Sequence, residues 1–260
     1  MNMEFAIEEL AVLIQKCNRI VCFTGAGIST DSGIPDFRSP DGVWAKNRQI
    51  LFDEFMSSPA ARHEYWRQKC ESFHRHGDSV PNMAHRTIAR WEEHGKVAGV
   101  ITQNIDGLHQ QAGSRNVLEI HGTAIEVMCM DCNWRGPAEP LSRSFLETGR
   151  VPSCEQCATG RLKHATISFG QSLDEAVLND CKCLAESADM VIAFGSSLMV
   201  EPAASMPLFG LNAGAFFAII NREATDKDAY AHLTIHGEIS DVLEELFVCW
   251  GGRDCPADIE

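Results

Sequence analysis

Short runs rich in β-branched and aromatic residues, at 20–23, 97–102, 117–120, 165–169, 190–194 and 215–220, recur along the chain with helix-length stretches between most of them. Runs this short and this apolar read as strands buried on both faces, which calls for parallel pairing with helices laid over each side. The stretches between carry matching signals. Ala6, Leu10, Leu13 and Ile14 share one helical face, and Asn82, after Pro81, is an N-cap for a helix bearing Ala84, Ile88 and Trp91 that stops at Gly95. Further helices are expected over 174–186 and 202–208, and a last one from Ser240 and Asp241 that buries Val242, Leu243, Leu246 and Phe247.

Two segments break this rhythm. Residues 41–81 hold Phe52, Phe55, Tyr65, Trp66 and Phe73 in helical stretches without a strand, and residues 126–163 hold paired cysteines. The fold class expected is therefore α/β, a Rossmann-like parallel sheet with helices on both faces, plus a small domain made of a zinc ribbon and a helical module. The larger domain is discontinuous, over 1–40, 82–125 and 164–260, with the helical module at 41–81 and the metal-binding module at 126–163.

At 260 residues and 45% hydrophobic content the chain can bury a core without staples. Its first residues carry Glu4, Glu8 and Glu9 and no basic residue before Lys16, the reverse of a secretory or organellar leader. The longest apolar stretch, 213–220, is broken by Gly214 and falls far short of the roughly 20 residues that span a bilayer. A soluble, cytoplasmic protein with no membrane partner is expected. Lys and Arg number 22 against 36 Asp and Glu, a net charge of −14, with no basic cluster, so no direct nucleic-acid partner is expected either. The acidic surface suits solubility first and cationic peptides second.

There are eleven cysteines, an odd number, and four form the pairs Cys129-x-x-Cys132 and Cys154-x-x-Cys157. Two such knuckles 21 residues apart make a zinc-ribbon pattern. Four thiolates fill a tetrahedral Zn2+ and leave no place for water, so one structural zinc is expected and a redox pair is not. Cys17, Cys22, Cys70, Cys181, Cys183, Cys249 and Cys255 are expected to be core or surface thiols.

Gly25-Ala26-Gly27 follows the first strand, where a parallel sheet receives a nucleotide near helix amides. Alone the signal is weak, and Thr30 replaces the third glycine of a dinucleotide fingerprint. The run GAGISTDSGIPD over 25–36 continues through Phe37, Arg38, Ser39, Pro40, Asp41, Gly42, Val43 and Trp44. Next come Thr102-Gln103-Asn104-Ile105-Asp106-Gly107-Leu108-His109, then His121-Gly122, Phe169-Gly170, Gly195-Ser196-Ser197-Leu198 with Val200 and Pro202, and Asn221. In this order, over about residues 18–246, the chain closely resembles the sirtuin family.

The resemblance implies an NAD-dependent protein lysine deacetylase or deacylase, with NAD as co-substrate and acylated-lysine proteins or peptides as partners. Gly25, Ala26, Gly27, Thr30, Phe37, Arg38, Gln103, Asn104, Ile105, Asp106, Gly195, Ser196, Ser197, Asn221, Arg222 and Ile239 match cofactor-binding positions. Ile167, Phe169, Gly170 and Val200 match the positions that sandwich the substrate peptide as an added strand. His121, Asn104 and Asp106 match catalytic positions. The acyl oxygen attacks the ribose carbon bearing nicotinamide, nicotinamide leaves, and His121 as base activates a ribose hydroxyl, giving free lysine and O-acyl-ADP-ribose. Asp36 is left between a turn cap and a catalytic role. His109 matches a position of structural role, and His85 is expected near the substrate domain.

Relatives that prefer acidic acyl chains carry Tyr and Arg three residues apart in the small-domain helix. Here Tyr65 is followed by Arg67 and Gln68, and two helical steps turn by about 200°, so Tyr65 and Arg67 diverge. Neutral acyl groups are expected, acetyl first. The run over 163–171 ends in Gln171 where many relatives carry an acid. Two other readings stand beside the deacylase: a protein ADP-ribosyltransferase using the same cleft, and a nucleotide-binding redox or zinc module that consumes no NAD.

Overall fold

The computed structural model describes residues 3–253, so the thiol expected at Cys255 lies outside the described residues. The chain opens with helix α1 (Met3–Lys16) and strand β1 (Ile20–Thr24). A 3-10 turn (Ala26–Ser32) leads into α2 (Val43–Lys46), α3 (Phe52–Ser57) and the long α4 (Pro59–His76). Then follow α5 (Met83–Glu93), β2 (Val97–Thr102), α6 (Leu108–Ala112), β3 (Val117–Glu119), β4 (Gly122–Cys129), β5 (Arg135–Pro137) and α7 (Ala138–Thr148). The remainder runs β6 (Leu162–Thr166), α8 (Glu175–Glu186), β7 (Met190–Phe194), α9 (Met206–Asn212), β8 (Phe216–Asn221), β9 (Leu233–His236) and α10 (Ile239–Cys249).

The parallel sheet has the order β3-β2-β1-β7-β8-β9. Its strands feed two cores by simple alternation. Ile20 and Cys22 of β1, with Ile192 and Phe194 of β7, face the core shared with α1, α5 and α10. Val21, Phe23, Val191 and Ala193 face the core that includes Cys181, Leu184 and Ala185 of α8. The helix signals hold as expected: Asn82 Oδ1 accepts the amides of Ala84 and His85 at 3.0 and 3.4 Å, and Gly95 leaves α5 at φ 76°. Among the described residues no helix is long and apolar enough to cross a membrane.

Strand order reverses between β1 and β7, and at that switch point the loops leaving the two strands part and leave a crevice at their carboxyl ends. A second sheet, β5-β4-β6, is antiparallel. It shares one core with α3, α4 and α7, built from Phe55, Tyr65, Trp66, Val127, Phe145 and Leu162. Trp66 is fully buried and its indole N–H donates to the Leu162 carbonyl at 2.9 Å, pinning α4 to β6. Truncating such a side chain to Ala costs about 3–5 kcal/mol.

Three expectations need correction. The run at 165–169 is not a strand of the parallel sheet: β6 covers Leu162–Thr166 and pairs antiparallel with β4. Apolar runs announce burial but not a partner, and here Gly122 at φ 70° lets the two chains cross, its missing Cβ falling against the Ala165 carbonyl oxygen. The boundaries expected at 125/126 and 163/164 accordingly cut through β4 and β6. Phe247 is 39% exposed, because it sits about 100° around α10 from buried Leu246. Finally, β9 carries too weak an apolar run, Leu-Thr-Ile-His, to have announced itself.

Candidate functional site

The crevice at the switch point is a cavity of about 610 Å³. Its floor depends on close backbone approach. The Gly25 amide donates to the Phe194 carbonyl at 3.0 Å and the Gly27 amide to the Gly195 carbonyl at 2.8 Å. A Cβ on Gly25 would stand 2.7 Å from the Gly195 oxygen, and Gly195 itself sits at φ 59° with its own missing Cβ 2.5 Å from Ile28 N. The glycines therefore let two strand ends meet, and Ala26, Gly27, Gly195, Ser196 and Ser197 line the space above.

Of the residues singled out in the sequence, Ala26, Gly27, Thr30, Phe37, Arg38, Gln103, Asn104, Ile105 and His121 line this cavity. So do Ile167, Phe169, Gly170, Gly195, Ser196, Ser197, Val200, Asn221, Arg222 and Ile239. Gly25 and Asp106 do not. Gly25 lies beneath the floor, and Asp106 lies behind the wall, its Oδ1 accepting the Leu108 amide at 3.0 Å and its Oδ2 the Ser29 hydroxyl at 2.8 Å. Those are the contacts of a group that holds others in place. Asp36 forms a turn, accepting the amides of Arg38 and Ser39 at 2.9 and 2.7 Å.

Asn104 is buried except for its cavity edge. Its Nδ2 donates to the Gly25 carbonyl and to Ser29 Oγ, each at 3.1 Å, and its amide to Thr102 Oγ1 at 3.0 Å. Gln103 Oε1 accepts the Ser196 hydroxyl at 2.6 Å, joining the end of β2 to that of β7. His121 Nδ1 lies 3.2 Å from the Gln103 carbonyl. A carbonyl only accepts, so Nδ1 carries the proton and Nε2 keeps its lone pair. Burial lowers the imidazole below 6.5 against the opposing pull of that carbonyl, which keeps it neutral near pH 7.

The opposite wall is the strand-like stretch after β6. The Ile167 amide donates to the His121 carbonyl at 2.8 Å, and the Phe169 carbonyl accepts from Phe52 N at 2.9 Å. Trp44 bridges the loop to this wall, with ring centroids 5.5 Å from Phe37 and 5.6 Å from Phe169 and the Arg38 guanidinium 4.6 Å from its own. The displaced strand is thus what builds the site. Sequence inspection missed Ser29 and Trp44 as wall-holding groups although both lie inside the quoted motif. His85 lies edge-on to His109, with ring centroids 4.9 Å apart, and its Nδ1 is 3.0 Å from Asn82 Oδ1 at the start of its own helix.

The four cysteine sulfurs lie within 4.8 Å of one another, with Cys129 to Cys157 at 3.8 Å and Cys132 to Cys154 at 3.7 Å. Sulfurs about 2.3 Å from a tetrahedral centre stand about 3.8 Å apart, so the cluster has the dimensions of a zinc site. The Asp131 amide donates to Cys129 Sγ at 3.4 Å, and Gly160 leaves room where a Cβ would strike two sulfurs.

These features together define a cleft at the carboxyl ends of the central strands, walled on one side by the sheet that carries the zinc-sized cysteine cluster, and the chain belongs to the Sir2 family, whose model matches residues 25–202. It is 41% identical over 244 residues to an NAD-dependent protein deacetylase of Rhodopseudomonas palustris, covering 93% of this chain and 96% of that one. A solved Sir2 with a p53 peptide and NAD+ is 34% identical with a TM-score of 0.82, covering 94% of this chain and 96% of that one. Another, with deacetylated p53 peptide and 3'-O-acetyl ADP ribose, is 34% identical with a TM-score of 0.86, covering 93% and 97%.

Proposed function

We propose that this protein is an NAD-dependent protein lysine deacetylase or deacylase, acting on acylated-lysine proteins or peptides. One observation carries the reading: His121 lines the cavity with Nδ1 3.2 Å from the Gln103 carbonyl, an acceptor that draws the ring proton to that side, and with no hydrogen bond to Nε2 among the described residues, while burial lowers its pKa. That is the state a general base needs near pH 7.

The cleft fits NAD in size and chemistry, with Ala26, Gly27, Gly195, Ser196 and Ser197 at the switch point, Arg38 in the loop, and Asn221, Arg222 and Ile239 also on its wall. Bound there, NAD supplies a ribose carbon from which nicotinamide departs as the substrate's acyl oxygen takes its place, leaving lysine and O-acyl-ADP-ribose as the final products. His121 Nε2 takes the proton of a ribose hydroxyl. Asn104, held by Ser29 and the Gly25 carbonyl, orients the nicotinamide side, with Asp106 acting through Ser29. Ile167, Phe169, Gly170 and Val200 receive the peptide by backbone pairing, so sequence selectivity is loose. A zinc held by Cys129, Cys132, Cys154 and Cys157 supplies folding energy to the small unit and no chemistry. Domains follow the division at 41–81 and 126–163 with β4 and β6 shared between them.

A cytoplasmic location suits four thiols that must stay reduced to hold metal. No feature of the cavity favours transfer of ADP-ribose to a protein acceptor over deacylation. The test is nicotinamide release from NAD by the purified protein with and without an acyl-lysine peptide, with mass detection of O-acyl-ADP-ribose. Release that is equal without peptide would reject the deacylase.

A further inference from the structure

Lys163, on β6, is fully buried, with its Nζ 5.3 Å from the Tyr65 ring centroid. Withdrawing an amine from water is costly where a hydrocarbon of similar length would fill the space, and the bonds it makes offset that cost. Nζ donates to two carbonyls further along its own strand, that of His164 at 3.5 Å and that of Thr166. Burial, and after it repulsion from Lys69, lowers the amine, but its neutral form still carries two N–H donors, so neither bond depends on charge.

The two carbonyls bracket a break in the antiparallel ladder. Gly122 pairs with Thr166 and Val127 with His164, so five steps along β4 face two along β6 and regular bonding is interrupted between them. Lys163 supplies a donor at each end of the interruption. The Thr166 carbonyl is one end of a planar peptide group whose other end is the Ile167 amide, and that amide donates to the His121 carbonyl at 2.8 Å. A single rigid group is thus held at its oxygen by Lys163 and at its nitrogen by His121. Donation to the carbonyl polarises the group and strengthens the bond its N–H makes. The Tyr65 hydroxyl, 3.2 Å from Thr166 Oγ1, holds the same residue by its side chain. Thr166, Ile167 and His121 line the cavity, and Lys163 does not.

Resting on the deacylase reading, we propose that Lys163 is a positioning residue for that reaction: through the peptide group joining Thr166 to Ile167 it fixes both the wall that receives the substrate peptide and the backbone that carries the His121 imidazole. Ile167, Phe169 and Gly170 leave β6 directly after the clamped group, so its orientation sets theirs. The cofactor floor is built separately. Its contacts, Gly25 to Phe194 and Gly27 to Gly195, involve neither Lys163 nor Thr166. Loss of the clamp therefore weakens peptide use and base alignment and leaves NAD binding as it was.

The test is Lys163→Met, which fills similar space and removes both donors. In the full-length protein its kcat/KM for an acetyl-lysine peptide should fall by about ten-fold, the effect of one buried hydrogen bond, while NAD affinity by titration and zinc content stay at wild-type values. Hydrogen exchange of the Ile167 amide, read by NMR under native conditions, should quicken by a similar factor. Lys163→Arg, which keeps donors within reach of the Thr166 carbonyl, should restore most of both. Lys163→Gln, whose amide stops about one bond short of that carbonyl, serves if the Met variant fails to fold. An unchanged kcat/KM in the Met variant overturns the proposal, and so does a loss of NAD affinity that matches the loss of peptide turnover, since that is general loosening. Absence of nicotinamide release by the wild-type protein with every acyl peptide would instead defeat the deacylase reading, and Ile167 exchange across the variants would still test the clamp.

Discussion

Asp106 and Asn104 are tied to one hydroxyl, that of Ser29, which donates to Asp106 Oδ2 at 2.8 Å and accepts from Asn104 Nδ2 at 3.1 Å. The carboxylate behind the wall thus fixes the amide on it, and the serine is the link. Ser29→Ala should lower kcat by about ten-fold, the worth of one buried hydrogen bond, while leaving KM for the peptide nearly unchanged. A matching rise in KM with kcat intact would show that the link serves binding rather than alignment.

His121→Ala should remove deacylation by about two to four orders of magnitude while zinc content and melting temperature stay at wild-type values. Steady-state rates beside a metal assay and a thermal melt check both halves of the expectation.

The pH dependence follows from burial. His121 lies below 6.5, so the base is deprotonated over the neutral range and kcat/KM should be flat from pH 7 to 8, falling only on the acid side of 6.5. Stability should move in the same sense. Burial holds His109 and His164 near 3, so the unfolded chain binds their protons first as pH falls. Their contribution is complete above 6.5 and is lost as pH drops from there toward 3. Urea midpoints measured at pH 7.5 and 5.0 check it, and a midpoint that rises at pH 5.0 would contradict the account.

Metal removal should unfold the small unit. Cys129 and Cys154 belong to the same core as Phe55, Trp66 and Phe145, so a chelator or Cys154→Ala loosens α4 and α7 together with the ribbon. Loss of activity and of near-ultraviolet dichroism from Trp66 should run in parallel with release of one zinc per chain.

Gly195→Ala should be among the most damaging single methyl additions in the chain, because the residue sits at φ 59° and the new Cβ would stand 2.5 Å from Ile28 N. A thermal melt and an NAD titration both report it. Gly149→Ala, with no atom within 4 Å of the new Cβ, serves as the control for backbone strain alone at φ 67°.

The parallel sheet was legible because each of its central strands alternates residues between two cores, leaving apolar runs that no surface strand would show. The cysteine cluster was legible from spacing alone. The partner of the 165–169 run was not: which sheet a buried strand joins depends on Gly122 permitting a close crossing with Ala165, a long-range fact that no local pattern encodes. The cavity wall was legible through a resemblance that covers Asn104, His121 and Ser196. Asp106 shows the limit of that route, since a motif gives membership of a site but not on which side of its wall a residue stands.

The stretch that begins in β6 and ends at Gly170 is paired with β4 in the cysteine-bearing sheet, held to the His121 carbonyl at Ile167, and tied at Phe169 to the amide of Phe52. It works as a lever arm. Any tilt of the ribbon and its helices must travel along it into the wall of the cavity beside His121, so the shape of that wall and the posture of the small unit are a single mechanical variable.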